Sequence, residues 1–277
     1  MNVKLLTVKP SANWPVAGMA TAASLRRLRS ALLPFALPAM VLLAWQVTAV
    51  QEWLPVQILP SPALVLATLG ELLRGGDIAS ALAISLWRIA FGFAIGASCG
   101  LLLGALIGVS ETLNDYLGPT IKALAQIPSL GWLPILILVF GLDESLKLVI
   151  IAKASFVPTV FATSQAIRNV PQHYLEAGRV LRLRRRTFLT RLLIPATLPT
   201  VFGGLRMALS SAWIALIVVE MLAATEGVGY MMVWGRTLFQ IDIVIVGMLV
   251  IGVLGFAMDT GLSRVERALR RWEPRHG

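Results

Sequence analysis

The sequence has very few of the residues that build disulfides and metal sites. Cys99 is the only cysteine among 277 residues, and His173 and His276 are the only histidines. One cysteine cannot form an intrachain disulfide, and this set cannot make a Cys/His metal cluster. The sequence also lacks the GxxxxGK[ST] loop that binds nucleotide phosphates and the HExxH motif of zinc enzymes. We therefore expect no catalytic residue, no metal and no cofactor on this chain.

Charged residues are scarce as well. They make up 14% of the chain, against about 25% in a typical soluble domain, whereas 57% of the residues are hydrophobic. The mean hydropathy is +0.80. The apolar runs are continuous rather than alternating, which excludes a transmembrane β-barrel and predicts an all-α membrane protein. The net charge of +10 lies in loops beside apolar runs, so we attribute it to membrane orientation and not to nucleic-acid binding.

Six apolar runs are long enough to cross a hydrocarbon core of roughly 30 Å as helices. They cover about 31–50, 86–109, 120–140, 146–167, 197–222 and 243–263. The third run is broken by Pro128, Gly131 and Pro134. The predicted domain organisation is a cytoplasmic segment 1–30, a first helix 31–50, an external segment 51–85, a five-helix core 86–263 and a basic tail 264–277.

The positions of lysine and arginine predict which loops face the cytoplasm. With the N-terminus placed inside, the inner segments hold 18 of the 24 Lys and Arg residues and the outer segments hold four. Cytoplasmic loops carry the excess of positive charge in membrane proteins. We therefore expect both termini and the loop 168–196 to be cytoplasmic.

Two further patterns concern packing outside this loop. The second run has glycine at every fourth residue, which lets helix backbones approach closely, either within the chain or between two subunits. These glycines are Gly92, Gly96, Gly100, Gly104 and Gly108. Within the external segment, residues 63–76 have helical periodicity and end at Gly75-Gly76, which predicts an amphipathic surface helix.

Ionisable residues inside predicted spans are costly and usually face protein or water. Lys153 lies about 10 Å along the fourth run and Arg206 about 14 Å along the fifth, by helical rise. Either could line a path for an anion, or each could snorkel or cap a neighbouring helix end. For Glu220 and Asp259 we expect structural hydrogen bonding.

The loop between the fourth and fifth runs is the most distinctive segment. It contains EAGRVLRLRRRTFLTRLLIPATLP, a basic stretch that begins at Glu176. Asn169 and Pro171 predict the start of a short helix. Ala177 and Gly178 would then leave a shallow surface for another protein, and the prolines at 195 and 199 would reset the chain before the fifth span. The alternative is a plain loop that only sets topology.

This stretch resembles the EAA loop of membrane subunits of bacterial ABC importers. Glu176-Ala177-Gly178 stands at the E-A-A element, and Ile194-Pro195 falls 18 and 19 residues after Glu176, as in that family. Arg182 occupies the position of the usual glycine, which in the family helps the turn between two short helices.

Other segments, from about Leu59 to Pro274, are similar to the branch of these importers that handles aliphatic sulfonates, taurine and nitrate. They are Ile58-Leu59-Pro60-Ser61-Pro62, Ser85-Leu86-Trp87-Arg88 with Gly92-Phe93, Ile127-Pro128-Ser129-Leu130-Gly131-Trp132-Leu133-Pro134, Phe140-Gly141-Leu142-Asp143-Glu144-Ser145, Gly204-Leu205-Arg206 with Ala212-Trp213, and Gly227-Val228-Gly229-Tyr230.

The resemblance implies a type I ABC importer-like permease fold in the bacterial inner membrane and no enzymatic activity on this chain. It implies a homodimer, a cytoplasmic ABC ATPase dimer that holds ATP and Mg, a periplasmic or lipid-anchored substrate-binding protein, and contact with membrane lipid. The residues expected to couple to the ATPase are Tyr174, Glu176, Ala177, Gly178, Arg179, Arg182, Ile194 and Pro195. The alternatives are a permease for a thiamine precursor or phosphonate and, from a different class, a passive channel or membrane anchor.

Overall fold

The computed structural model describes residues 17–269, and its regular elements are all helical. They are α1 (Ala17–Val50), α2 (Pro62–Gly75), α3 (Asp77–Val109), α4 (Glu111–Gln126), a 3-10 turn (Ser129–Trp132), α5 (Leu133–Phe140), α6 (Glu144–Arg168), α7 (Gln172–Val180), α8 (Arg185–Phe188), a π-helical turn (Leu189–Leu193), α9 (Ile194–Ala223), α10 (Val228–Thr237) and α11 (Ile241–Leu269). The backbone alone is described at 17–32, Pro34, His173, Leu175, Ala177, Arg179, Arg185 and Leu269. The predicted segments 1–30 and 264–277 therefore lie partly outside the described residues.

The described chain divides into two compact units, the first ending at Pro62 and the second beginning at Ala63. In the first unit α1 ends in a turn where Glu52 takes a left-handed φ of +49°. The indole Nε1 of Trp45 donates a hydrogen bond to the carbonyl of Pro60 at 2.9 Å. This bond fixes the chain after α1 against the last turns of that helix.

Within the described residues, four helices are long and apolar enough to cross a membrane. They are Asp77–Val109, Glu144–Arg168, Arg186–Ala223 and Ile241–Ala268. α3 begins at Asp77 rather than at the predicted residue 86, because only Gly76, with φ +83°, separates it from α2. The helix predicted over 63–76 is present as α2, and its place on the outer surface stays a prediction.

The third predicted span is a bent pair, and the bend between Glu111–Gln126 and Ser129–Phe140 is 89°. Pro128 forces the preceding residue out of the helical region, and Ile127 is extended at φ −90°, ψ 112°. The predicted break is thus confirmed, and it is a sharp corner in the span.

The fifth predicted span begins much earlier than expected. The helix runs unbroken from Arg186 to Ala223, so the expectation that prolines reset the chain before the span is wrong. A π-helical turn precedes Pro195, and within it the Ile194 amide donates to the Leu189 carbonyl five residues back. Pro195 directly follows this turn, so its missing N–H falls where the regular α-helical bonding is already interrupted.

The core of the second unit is formed by α3, α6 and α9. The glycines of α3 lie against α6: a Cβ at Gly92 would meet Ile151 at 2.6 Å, and one at Gly104 would meet the Val160 carbonyl at 2.7 Å. The predicted close packing within the chain is confirmed for this glycine face. The fully buried side chains of Leu146 and Val219 lie in the apolar layer between α6 and α9.

Candidate functional site

The loop between α6 and α9 folds into an elbow, residues 169–193, made of α7, a turn and α8. Glu176 is exposed on α7, and its Oε1 accepts a hydrogen bond from Nε2 of Gln172 at 2.8 Å. Tyr174 and Arg182 are exposed on the same segment, and Ile194 and Pro195 are exposed at the start of α9. The side chains of Ala177 and Arg179 lie outside the described residues. The exposed residues among those expected to couple to an ATPase thus lie on α7, the turn after it and the start of α9.

Gly178 does not contribute to an open surface, contrary to the expectation from the sequence. It is buried, and a Cβ at this position would lie 2.8 Å from Cδ2 of Phe188. The glycine is therefore needed because α7 and the ring of Phe188 on α8 approach closely. Its small size holds the elbow together, and it is not available for a partner.

Arg182 forms the turn of the elbow in a conformation that favours glycine. Its φ is +47°, and the amide of Leu183 donates to the Gly178 carbonyl at 3.1 Å, five residues back. This is the Schellman ending of a helix, with Arg182 at the position that is usually glycine. The substitution leaves the turn intact and adds the steric cost of a side chain in the left-handed region.

Sequence reasoning missed a charged knot formed by Arg88, Glu144, Lys147 and Glu220 at the other end of the bundle. Arg88 and Lys147 are two of the four Lys and Arg residues counted with the outer segments, and both are buried, as is Glu220. Arg88 Nη1 donates to Glu220 Oε1 at 2.8 Å, and Lys147 Nζ donates to Glu144 Oε1 at 2.7 Å. Glu144 is half-exposed, so the three buried charges of Arg88, Lys147 and Glu220 are compensated partly by a carboxylate at the rim of the bundle.

The knot also holds the connection between α9 and α10. Glu220 accepts hydrogen bonds from the hydroxyl of Ser85 at 2.8 Å and from the amide of Gly229 at 3.0 Å. A Cβ at Gly227 would lie 2.5 Å from Glu220 Oε1, and its φ of +109° also favours glycine. The predicted structural hydrogen bonding of Glu220 is confirmed. Charged residues beside apolar runs were the signal in the sequence, but their pairing depends on helices far apart in the chain.

Lys153 lies beside the corner between α4 and α5 and lines a cavity of about 340 Å³. Its Nζ donates to the carbonyl of Ile127 at 2.7 Å and lies 5.4 Å from the ring centroid of Trp132. The lysine therefore caps the end of α4, as one of the two alternatives predicted, while part of its side chain remains open to the cavity. The cavity is bounded by the corner, α6 and α9.

Arg206 forms an ion pair with Asp259. The carboxylate accepts from both Nε and Nη2 of the guanidinium, and the Nη2–Oδ2 distance is 2.6 Å. The pair joins α9 to α11 and lines a second cavity of about 230 Å³. The predicted structural bonding of Asp259 is confirmed. Among residues 17–269, no three His, Cys, Asp or Glu side chains lie close enough together to hold a metal ion.

The chain is similar to membrane permeases over most of its length. It is 35% identical to the SsuC permease protein of Bacillus subtilis (strain 168), named for aliphatic sulfonates transport, over 85% of this chain and 86% of that one. It is 34% identical to the nitrate import permease protein NrtB of Synechococcus elongatus, over 66% and 67% of the two chains. It is 29% identical to the taurine transport system permease protein TauC of Escherichia coli, over 84% and 87%.

The fold is similar to that of a chain of the MetNI methionine ABC transporter in an inward-facing conformation, with a TM-score of 0.52 and 14% identity over 67% of this chain and 94% of that one. This supports an ABC importer permease fold. Residues 92–271 match the family described as "Binding-protein-dependent transport system inner membrane component". The chain therefore belongs to this family of inner-membrane components, and it is a multi-pass permease subunit of an ABC transporter whose ATPase is a separate chain.

Proposed function

We propose that the chain forms the path by which a small anionic solute of the aliphatic sulfonate, taurine or nitrate class enters the cell. Two copies of the chain would face each other in the membrane above a cytoplasmic ATPase dimer. A substrate-binding protein on the outer side would deliver the solute. The names of the three relatives support the solute class. A cation beside a cavity near the middle of α6 is compatible with an anion.

The observation that carries the proposal is the continuity of the elbow with the fifth span. The helix from Arg186 to Ala223 has 38 residues and contains Glu220 of the charged knot near its other end. A displacement of α8 would therefore be carried into the fifth span, since the helix continues from Arg186 through the π-helical turn and Pro195 to Ala223. Both helices that flank the elbow, α6 and α9, pack in the core.

We infer that the exposed α7 surface around Glu176 sits in a groove of the ATPase, and that the elbow and both termini are cytoplasmic. Closure of the ATPase dimer on ATP would then move α6 and α9 together and change which side of the membrane the path opens to. This is alternating access by rigid-body movement of packed helices. Tyr174, Arg182 and the Ile194-Pro195 pair flank the same surface and would complete the contact.

Within the membrane we assign the stronger role on the path to Lys153. Arg206 is already paired with Asp259, so its positive charge is compensated and attracts an anion less. The Lys153 side chain has a neutral carbonyl as its hydrogen-bond partner, so no carboxylate compensates its charge there. A path through the bundle would then pass the corner between α4 and α5.

The test is Glu176→Lys in the chain co-expressed with its ATPase. Charge reversal on the exposed face of α7 should release the ATPase on purification or remove the stimulation of ATP hydrolysis by loaded binding protein. Glu176→Gln keeps the shape and an acceptor for Gln172, and it should have a smaller effect. Glu71→Lys, on the exposed face of α2, is the matched control. Normal coupling in the Glu176→Lys complex would refute the proposed role of the elbow.

A further inference from the structure

The side chains that line the cavity beside Lys153 suit some anions better than others. Lys153 is the only charged side chain among the described residues that line it, and none of them is acidic. Ser129 and Ser211 also line it, and the Ser211 hydroxyl donates to the Met207 carbonyl of its own helix at 3.0 Å. The remaining surface is largely apolar and includes Leu124, Val157 and other aliphatic side chains. One cation in an apolar cavity fits a ligand with one negative group and a short hydrocarbon tail.

We propose, resting on the function proposed above, that this cavity is a binding site for alkyl monoanions, and that it discriminates against zwitterions and against anions without a tail. The sulfonate of a short alkanesulfonate would accept hydrogen bonds from Lys153 Nζ, and its tail would lie against Val157 and Ile214. The ammonium of taurine would be buried with no carboxylate to pair with, which is costly. Nitrate would leave the apolar wall in contact with water.

An anion bound at this site would share the three N–H donors of the Lys153 ammonium with the carbonyl that the lysine already contacts. In the structure its Nζ donates at 2.7 Å to the carbonyl of Ile127, the extended residue that follows α4 at the 89° corner. An anion within reach of the ammonium competes with that carbonyl, since a charged acceptor makes the stronger hydrogen bond. Occupation of the cavity would thereby loosen the contact between α6 and the corner. The solute and the bend in the third span are linked through one side chain.

The experiment compares two ligands that differ only in an ammonium group. Ethanesulfonate and taurine are titrated into the complete nucleotide-free complex in nanodiscs, with direct binding measured by radiolabel. We expect taurine to bind at least tenfold more weakly than ethanesulfonate, and nitrate to bind about tenfold more weakly than ethanesulfonate.

The variant Lys153→Met should weaken ethanesulfonate binding at least tenfold. Lys122 is an exposed lysine on α4, and the control variant Lys122→Met should leave ethanesulfonate binding unchanged. Ethanesulfonate should change the tryptophan emission of the native complex and not that of Trp132→Phe.

A second variant tests the selectivity even if Lys153→Met fails to fold. Ser211→Asp adds a carboxylate to the wall, so the ratio of taurine to ethanesulfonate affinity should rise at least tenfold. Equal binding of the two sulfonates in the native complex, or an unchanged ratio in Ser211→Asp, would overturn this inference while an assembled, coupled ATPase leaves the proposed function standing. Failure of the native chain to retain any ATPase would overturn both.

Discussion

Arg88 and Glu144 form a two-bond ion pair, with Nε to Oε2 at 2.8 Å and Nη2 to Oε1 at 2.6 Å. The pair joins α3 to the first turn of α6. The same guanidinium also donates to Glu220 on α9 and, at 2.7 Å, to the carbonyl of Glu226 in the connection to α10. One arginine therefore ties three helices and a loop together at the end of the bundle opposite the elbow.

Removing Arg88 should strongly destabilise the bundle. Arg88→Leu would leave Glu220 fully buried without its charge partner, and breaking a buried pair costs about 3–5 kcal/mol. We expect a lower unfolding temperature and aggregation of the purified complex, measured by thermal unfolding with size-exclusion chromatography. Arg74→Leu, an exposed arginine at the end of α2, is the control. Equal unfolding temperatures for the two variants would contradict the role of the knot.

Adjacent glycines in α9 should differ sharply in their tolerance of alanine. A Cβ at Gly204 would overlap the Cβ of Ala162 on α6, whereas a Cβ at Gly203 would have no atom within 4 Å. We expect Gly204→Ala to destabilise the chain by about 1–3 kcal/mol through overpacking. Gly203→Ala should be neutral or stabilising, since alanine favours the helix by up to about 1 kcal/mol. Thermal unfolding of the two variants measures the difference, and similar losses in both would argue against this packing.

The contact between Gly178 and Phe188 can be tested by a rescue experiment, in which a substitution at Phe188 should restore the ATPase retention that a substitution at Gly178 removes. Gly178→Val would place a branched side chain against the ring, so the elbow should open and ATPase retention should fall. Phe188→Leu removes part of the ring and should restore retention in the double variant. Co-purification of the ATPase measures both. If the double variant is no better than Gly178→Val, the loss has another cause.

Arg182→Gly should stabilise the turn of the elbow. A non-glycine residue in the left-handed region is disfavoured by about 1–2 kcal/mol, and glycine removes this cost. Glycine also gives the unfolded chain more conformational freedom, which reduces the gain in stability by up to about 1 kcal/mol. We expect a small gain, seen as slower hydrogen exchange of the Leu183 amide that bonds Gly178. Arg182→Val should have the opposite effect because a β-branched residue fits this region worst. Faster exchange in the glycine variant would show that the Arg182 side chain itself holds the turn.

Much of the fold followed from local patterns in the sequence. The glycines spaced by four predicted a close helix contact, and the residues around Pro128 predicted a break, because backbone clash and a missing N–H act within a few residues. The same locality explains the errors. The prolines at 195 and 199 were expected to reset the chain before the fifth span, but the helix continues through a π-helical turn that precedes them.

The features of the candidate site also divide into those expected from the sequence and those that only the structure showed. A turn at Arg182 was implied by the resemblance to the EAA loop, which has glycine there, and the structure shows that Arg182 makes this turn in the left-handed region. The burial of Gly178 was not implied, because it depends on where Phe188 returns after the turn. The Lys153 cavity and the Arg206–Asp259 pair each needed two helices to be placed before their partners could be known.

The amino-acid sequence by itself determined that this chain is a helical membrane protein with a basic loop between two spans, because hydrophobic length and charge placement act on each segment alone. Only the tertiary structure decided that Arg88 is matched by Glu144 and Glu220, and that Lys153 caps the end of α4 at Ile127. A charge inside an apolar bundle is stable only beside a partner, and which partner it meets is set by packing between helices that are distant in the chain.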